Sequence, residues 1–279
     1  MRKATNLLYP YSVRMGLNGH VYVVDTYNHR IKKIENGAPV PVLKGSAKGE
    51  LRFPSDIAFA ENGDIFVADS DHNQIVHKIA KSGLLKDIKD FKSAGGVESF
   101  SSPSQLALHE GKLYIADTFR DQVVILDLET KKAHTISVRR PYGMAIRPSG
   151  EPVITQRGCN YLSILRDGQF QKLAGSTIFG FIDGFETATF YEPAGLSSTP
   201  SGEIIVADAG NHAIRRLDLD GRVTTLAGNR TKGREDGPDA TFNYPMGVCA
   251  SPDGSIFVAD TYNHSVRKIF PNLETETIA

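Results

Sequence analysis

The 279-residue sequence has no tryptophan, only two cysteines and no long uninterrupted apolar run. A membrane-spanning helix needs about 20 consecutive apolar residues, so none is expected. Cys159 and Cys249 are too few for a disulfide framework or a cysteine-only metal site, and we expect free thiols. The 32 basic and 32 acidic residues cancel. Zero net charge disfavours a nucleic-acid partner, because phosphate binding needs a basic surface.

The N-terminal residues carry two positive charges but lack the apolar stretch of a secretory signal. We therefore expect an intracellular protein or a domain of a larger one. We also expect a monomer that does not interact with membranes.

One motif recurs six times and fills the chain. Each copy has a proline, then a turn glycine eight or nine residues later, then an acidic or amide residue six positions beyond the glycine. The turn glycines are 44, 48, 39, 52 and 52 residues apart, so six copies account for the whole length. This predicts one domain over residues 1–279, with repeats opening near Pro10, Pro54, Pro103, Pro141, Pro193 and Pro245.

Each repeat has the pattern of four β-strands. The segment after each turn glycine is nearly all apolar, as in HVYVV at 20–24, which is typical of a strand buried on both faces. Another apolar strand precedes the turn, and an Asn-Gly or Asp-Gly pair there suits a tight hairpin. Two strands of more polar composition follow the buried strand. A four-stranded sheet cannot bury two apolar faces alone, whereas six sheets around an axis cover one another. We therefore predict an all-β, six-bladed β-propeller with four antiparallel strands per blade.

The repeats resemble those of the NHL family, named for Asn-His-Leu. The resemblance is carried by DTYNHRI at 25–31, DAGNHAI at 208–214 and DTYNHSV at 260–266, and by the Pro-x-Gly openings PYGM, PAGL and PMGV. It covers nearly the whole chain and implies a propeller fold. It leaves the activity open, because such propellers serve as interaction modules and RNA-binding regulators, and a related one is a peptide-amidating lyase.

Two terminal segments could complete blade six. Residues 3–8 and residues 274–278 both resemble a fourth strand. We expect the N-terminal segment to take the outer edge and so fasten the ring, since pairing the chain ends lowers the entropy of opening.

The repeated polar residues are interpreted as structural. A short carboxylate after a buried strand accepts backbone N–H groups and fixes the following turn. The Asn-His pairs are interpreted as solvated turns, because their spacing is not that of metal ligands.

Departures from the repeat are the better functional candidates. Blade four has Gln156 and Arg157 where the others have an aspartate and a small residue, and blades two and three have Asp56 and Gln105 in place of the opening glycine. We expect a binding surface where the inter-blade loops meet, formed by Asp56, Gln105, Arg140, Tyr142, Gln156 and Arg157. The long linkers at 174–192 and 227–244 should cross the same face.

Three functions remain open. The favoured one is a non-catalytic module that binds a protein or peptide on this face, with no cofactor and no metal. The second is a calcium-dependent hydrolase or lactonase, with Asp56, Gln105 and Gln156 as candidate donors at the channel mouth. The third is RNA binding through Lys44, Lys48, Arg52, Arg139, Arg140, Arg230, Lys232 and Arg234.

Overall fold

The computed structural model describes residues 7–44, 51–78, 85–87, 92–93 and 100–279. It contains six small sheets, each formed by consecutive strands of one repeat. The strands of blades one and two are β1 (Pro10–Met15), β2 (Val21–Asp25), β3 (Arg30–Glu35), β4 (Ala38–Lys44), β5 (Pro54–Phe59), β6 (Ile65–Asp69), β7 (Gln74–Lys78) and β8 (Leu85–Asp87).

Blades three and four follow the same plan. Their strands are β9 (Lys92–Ser93), β10 (Pro103–His109), β11 (Lys112–Asp117), β12 (Gln122–Asp127), β13 (Lys132–Ser137), β14 (Pro141–Ile146), β15 (Pro152–Gln156), β16 (Tyr161–Arg166) and β17 (Gln169–Gly175). The two-residue strand β9 pairs in parallel with β13 and adds a fifth strand to blade three.

Blades five and six complete the ring. Their strands are β18 (Gly184–Phe185), β19 (Pro193–Ser198), β20 (Ile204–Asp208), β21 (Ala213–Leu217), β22 (Arg222–Ala227), β23 (Gly247–Ala250), β24 (Ile256–Asp260), β25 (Ser265–Ile269) and β26 (Thr275–Thr277). Strand β18 lies in the linker and pairs with β22. The prediction of an all-β, six-bladed propeller with antiparallel blades is confirmed.

The second strand of each blade carries much of the core. All five residues of β2, β6, β20 and β24 are buried, as the apolar runs predict. Neighbouring blades share their cores, since one cluster joins Ile205 and Ala207 of blade five to Val248 and Val258 of blade six. The turn glycines before these strands have positive φ, for example 94° at Gly202, the conformation that glycine adopts without strain.

The expectation about ring closure is wrong. Strand β26 pairs with β25 through Arg267–Thr277 and Ile269–Thr275, so the C-terminal segment forms the outer strand of blade six. Residues 3–6 of the N-terminal candidate lie outside the described part of the chain. Blade six thus takes all four strands from its own repeat, which suits the sheet because its strands follow one another through short turns.

Among the described residues no strand is shared between blades six and one, so contacts between the two blades close the ring. Blades one and six share a core cluster that includes Val13, Val23, Phe257 and Ala259. The opening glycine Gly247 lies so close to blade one that a Cβ there would be 2.7 Å from Cα of Ser12.

Candidate binding site at the channel mouth

The repeated aspartates are fully buried and hold the segment that leads into their own blade. Asp25, Asp117 and Asp208 are each 0% exposed. Their Oδ1 atoms accept backbone N–H groups from Leu8, Ser101 and Tyr191 at 2.6–2.8 Å. The prediction that they accept backbone N–H groups is confirmed. The segment that they hold precedes the opening proline of the blade, whereas we expected the aspartates to fix the turn into the third strand.

The Asn-His pairs do more than form solvated turns. The Asn28 side chain donates to Asp25 of its own blade at 2.8 Å. His29 has a φ of 54° and its Nδ1 accepts the backbone N–H of Phe53, in the next blade, at 3.1 Å.

This bond from one blade to the next recurs around the ring. His212 accepts from Tyr244 at 2.9 Å, and His264 accepts from Tyr9 at 3.1 Å, which links blade six to blade one. Asn or Asp replaces histidine in the other blades, with the acceptor–donor pairs Asn73–Ser102, Asp121–Arg140 and Asn160–Glu192. An acceptor side chain at this position therefore joins all six blades.

The residue after the repeated aspartate faces the channel mouth. Thr118 donates its hydroxyl to the carbonyl of Pro141 at 2.7 Å, and Thr261 to that of Pro10 at 2.7 Å, both in the following blade. Blade four has Arg157 here, and its longer side chain lies across the mouth instead. The preceding residue, Gln156, is buried and stands at the position of the repeated aspartate. Its Oε1 accepts from Ser163 at 2.6 Å, and its Nε2 donates to Arg139 O, just before the opening proline, at 3.0 Å.

A polar plug fills the channel below the mouth. Arg14 of blade one reaches across to Asp56 of blade two, with its Nη2 at 2.6 Å from Oδ2. Its Nη1 donates to the carbonyl of Leu196 in blade five at 3.3 Å. Asp56 is 1% exposed and also accepts from Ser12 Oγ at 2.5 Å and Leu106 N at 2.8 Å.

Gln105 belongs to the same plug. Its Oε1 accepts the backbone N–H groups of Met144 at 2.5 Å and Leu196 at 3.1 Å. In blades five and six the opening glycine lets the backbones meet directly, with Gly195 N donating to Met246 O at 2.8 Å. Blade three lacks the opening glycine, and there the side chain of Gln105 makes the link to blades four and five.

These contacts also test the donors considered for calcium. Both oxygens of Asp56 are engaged by an arginine, and Oε1 of Gln105 and of Gln156 each accept other donors. A calcium ion needs six to eight free oxygen ligands, so this donor set does not fit the ion. Over the described ranges, no group of three or more His, Cys, Asp or Glu side chains is placed to hold a metal.

Three of the six predicted site residues lie together at the mouth. Arg140, Tyr142 and Arg157 line a cavity of about 740 Å³ on the face that carries the inter-blade linkers and the turns after the second strands. Asp56, Gln105 and Gln156 are not among its lining residues. The sequence pattern alone therefore did not separate residues that line the cavity from residues that are buried between blades.

Arg157 is held by aromatic rings. Its guanidinium lies 5.0 Å from the ring centre of Tyr142 and 5.7 Å from that of Tyr244, and it donates to Tyr244 Oη at 2.7 Å. Tyr244 in turn donates its hydroxyl to Glu192. Burial, partly opposed by the Arg157 charge, raises the pKa of Tyr244 to about 12, so this hydroxyl keeps its proton.

Arg140 is the more accessible cation. Its guanidinium lies 5.7 Å from the ring centre of Phe119, whose side chain is 65% exposed. Among the described residues Arg140 has no carboxylate within ion-pairing distance of its side chain, whereas Arg52 nearby pairs with Asp71 at 2.6 Å. Arg140 and Phe119 thus present an exposed cationic and aromatic pair at the mouth.

The opposite wall is aromatic, and sequence reasoning missed it. Tyr11, Tyr27 and Phe53 line the cavity, with Tyr27 5.0 Å from Phe53 in an edge-to-face contact. The sequence does contain a signal for this aromatic wall, because its residues share repeat positions with residues of the first wall. Tyr27 and Phe119 both lie two residues after a repeated aspartate, and Phe53 and Arg140 both directly precede an opening proline.

One aspartate of each long linker is paired with a buried arginine. Arg215, 0% exposed, pairs with Asp208 at 2.8 Å and with the linker residue Asp183 at 2.5 Å. Arg267 repeats this in blade six with Asp260 at 3.0 Å and Asp236 at 2.7 Å. The linkers are further anchored by the buried rings of Phe190 and Phe242, each 0% exposed.

The basic residues considered for RNA form no uniform surface. The Lys44 side chain and the whole of Lys48 lie outside the described part of the chain. Of the rest, only Arg140 lines the cavity. The stretch with Arg230, Lys232 and Arg234 also carries Asp236 and Glu235.

Both cysteines are free and buried. In the residues that the structure describes, no helix is long and apolar enough to cross a membrane.

Comparison with known proteins agrees with the architecture. The family model described as NHL repeat matches residues 7–34, 51–77, 190–217 and 242–269. The chain is 27% identical over 281 residues to the Arabidopsis thaliana protein SUPPRESSOR OF QUENCHING 1, chloroplastic, covering 89% of this chain and 24% of that protein. It is 26% identical to Bos taurus NHL repeat-containing protein 2, covering 94% of this chain and 39% of the relative.

The chain thus spans well under half the length of these curated relatives. Among solved structures, an auxiliary nutrient binding protein from Bacteroides thetaiotaomicron superposes with a TM-score of 0.77 at 18% identity, covering 98% of this chain and 70% of that one. At this identity the likeness concerns the fold alone. The chain therefore contains four segments that match the NHL repeat, and it has the fold of a six-bladed β-propeller.

Proposed function

We propose that this propeller is a binding module that recognises a protein or peptide segment at the channel mouth. The observation that carries the proposal is Arg157. It replaces a residue that links blades elsewhere and extends over the cavity between Tyr142 and Tyr244.

The composition of the cavity supports a peptide-like ligand. Arginine and aromatic side chains are enriched where proteins bind each other tightly. Aromatic rings offer a large contact area with few rotatable bonds, and arginine offers a planar cation with several hydrogen-bond donors. Here Arg140 and Phe119 lie on one wall of the cavity, and Tyr27 and Phe53 lie on the other. The cavity volume of about 740 Å³ is in the usual range of ligand pockets. Below the cavity, the side chains of the plug link the blades to one another. A ligand at the mouth would therefore lie against a rigid surface.

A displayed library of random peptides is a direct probe. We expect selection on the wild-type protein to yield binding sequences. Arg140→Ala and Phe119→Ala should each weaken their binding at least about tenfold, the effect of removing a hot-spot side chain. Thermal stability should be unchanged, because both side chains are exposed. Calorimetry with a selected peptide measures both variants.

Arg139→Ala is the matched control. Arg139 is the exposed neighbour of Arg140 but does not line the cavity, so the variant should bind the same peptide with wild-type affinity. Equal binding by all the variants would refute the placement at the mouth. Failure to select any peptide, together with salt-sensitive binding of single-stranded RNA, would favour the RNA alternative.

A further inference from the structure

Arg147 is a buried cation whose Nε lacks a hydrogen-bond partner. It follows β14 at the hairpin end of blade four and is 7% exposed. Its Nε is buried and has no hydrogen-bond partner. Glu151, the acid whose charge it feels most, accepts instead from Ser149 at 2.9 Å and Arg166 at 3.2 Å. Within the described residues, no carboxylate pairs with Arg147.

This arrangement is costly to the fold. Removing a guanidinium from water without a matching anion is unfavourable, and burial accordingly lowers the pKa of Arg147. Arg215 and Arg267 are at least as buried, and each has two carboxylate partners. A buried polar atom left unsatisfied in a native fold needs an explanation, and a bound anion is one that suits a guanidinium.

The guanidinium lies at a cavity with further positive charge. Arg147, Arg166 and Lys172 line a groove of about 560 Å³ between blades four and five. Leu173, Phe185 and Leu219 contribute apolar surface to the same groove, and Glu186 and Asp220, both exposed, also line it. The groove therefore combines three cations, one of them deeply buried, with an apolar wall.

We propose that this groove binds an oxyanion, a phosphate or a carboxylate, that carries an apolar substituent. The planar fork of Arg147 donates two parallel hydrogen bonds to the anion. Arg166 and Lys172 add charge from the rim, and the substituent packs against Phe185 and Leu219. The site is separate from the channel mouth and does not depend on the peptide-binding proposal.

Phenyl phosphate is the primary probe, with inorganic phosphate and benzoate as comparisons. Calorimetry or ligand-observed NMR should show saturable binding of phenyl phosphate. Inorganic phosphate should bind more weakly, because it cannot use the apolar wall. Benzoate carries a carboxylate in place of the phosphate. Whichever of benzoate and phenyl phosphate binds more tightly identifies the anionic group that the groove prefers.

Arg147→Met separates a binding role from a structural one. It keeps the volume and removes the unpaired charge, so the melting temperature should stay equal or rise. Phenyl phosphate affinity should fall at least about tenfold, the effect of losing a charged bidentate contact. A lower melting temperature with unchanged affinity would overturn the proposal, since Arg147 would then be structural.

Two further variants locate the anion. Lys172→Met changes an exposed side chain and should fold normally while weakening binding about threefold, as expected for a solvent-screened charge. His109→Gln alters a second cavity, of about 360 Å³, that Arg147 also lines, and it should leave binding unchanged. No saturable binding of any of the three anions in the millimolar range, or loss of binding only in His109→Gln, would refute the site.

Discussion

At the scale of single residues, the buried arginines of blades five and six combine three tasks. Arg215 neutralises the repeated Asp208, holds the linker through Asp183 and lies over the rings of Phe181 and Phe190 at 4.6 and 5.3 Å. Burial still raises the pKa of Asp208 to about 6 although Arg215 opposes this. The carboxylate therefore depends on its arginine to remain charged near neutral pH.

Arg215→Met should lower the free energy of unfolding by about 3–5 kcal/mol, because it leaves a buried carboxylate unpaired. Chemical denaturation at pH 7.5 measures the loss. Arg216→Met, on the opposite face of the same strand, is the control. Arg216 is 38% exposed at its side chain and pairs with Asp218 at 2.7 Å, so its removal should cost no more than about 1 kcal/mol. Equal losses in the two variants would contradict this view of Arg215.

At the scale of the blade, the histidines at the end of the turns make stability depend on pH. Nδ1 of His212 and of His264 accepts a backbone N–H, which requires a neutral ring. Burial lowers the pKa of both side chains below the ordinary value. Their contribution is complete above the unfolded pKa of about 6.5 and is lost as pH falls through the folded pKa.

The variant that carries both His212→Asn and His264→Asn tests this dependence. Asparagine accepts the same bond in blades two and four but does not titrate. Between pH 7.5 and pH 5, the wild-type protein should lose more stability than the double variant, measured by denaturant midpoints at each pH. Identical pH profiles would show that the ring nitrogens do not join the blades.

Much of the blade was predictable because it is repeated. Turn glycines and apolar second strands recur six times and structural aspartates five times, so the period of the repeat is clear and it reveals the sheet. The site was only partly predictable. Arg157 departs from the repeat and lines the cavity at the mouth with Arg140 and Tyr142, but Asp56 and Gln105 depart equally and are buried.

The difference lies in long-range contacts. Asp56 is buried because Arg14, 42 residues away, reaches it across the channel. Gln105 is buried because it accepts a backbone N–H from Leu196, 91 residues away. Neither partner is apparent from the local pattern. The fourth strand of blade six was mistaken for a similar reason, since both chain ends have the same pattern and only their pairing separates them.

At the scale of the whole molecule, the seam between blades six and one is equivalent to the seams inside the chain. His264 and Thr261 bond to Tyr9 and Pro10, and the opening glycine Gly247 meets the backbone of blade one. No strand is exchanged across this seam in the described residues. The histidine bond and the close approach of the opening glycine that join blades five and six therefore also join blades six and one.

Gly247→Ala and Gly195→Ala test this equivalence. A Cβ at Gly195 would be 2.6 Å from Met246 O, and one at Gly247 would be 2.7 Å from Tyr11 O. Each variant should lose about 1–3 kcal/mol of unfolding free energy, as overpacked sites do. A much smaller loss for Gly247→Ala in denaturant titrations would show that blades six and one separate easily.

The salt bridge between Arg14 and Asp56 has a consequence for access. This pair and Gln105 set polar side chains between the described blades in the middle of the ring, so a solute passing along the axis would have to displace them. A protein fixed by either end of its axis would therefore keep the opposite end fully available. Two ligands could then occupy the two ends without competing for a shared passage.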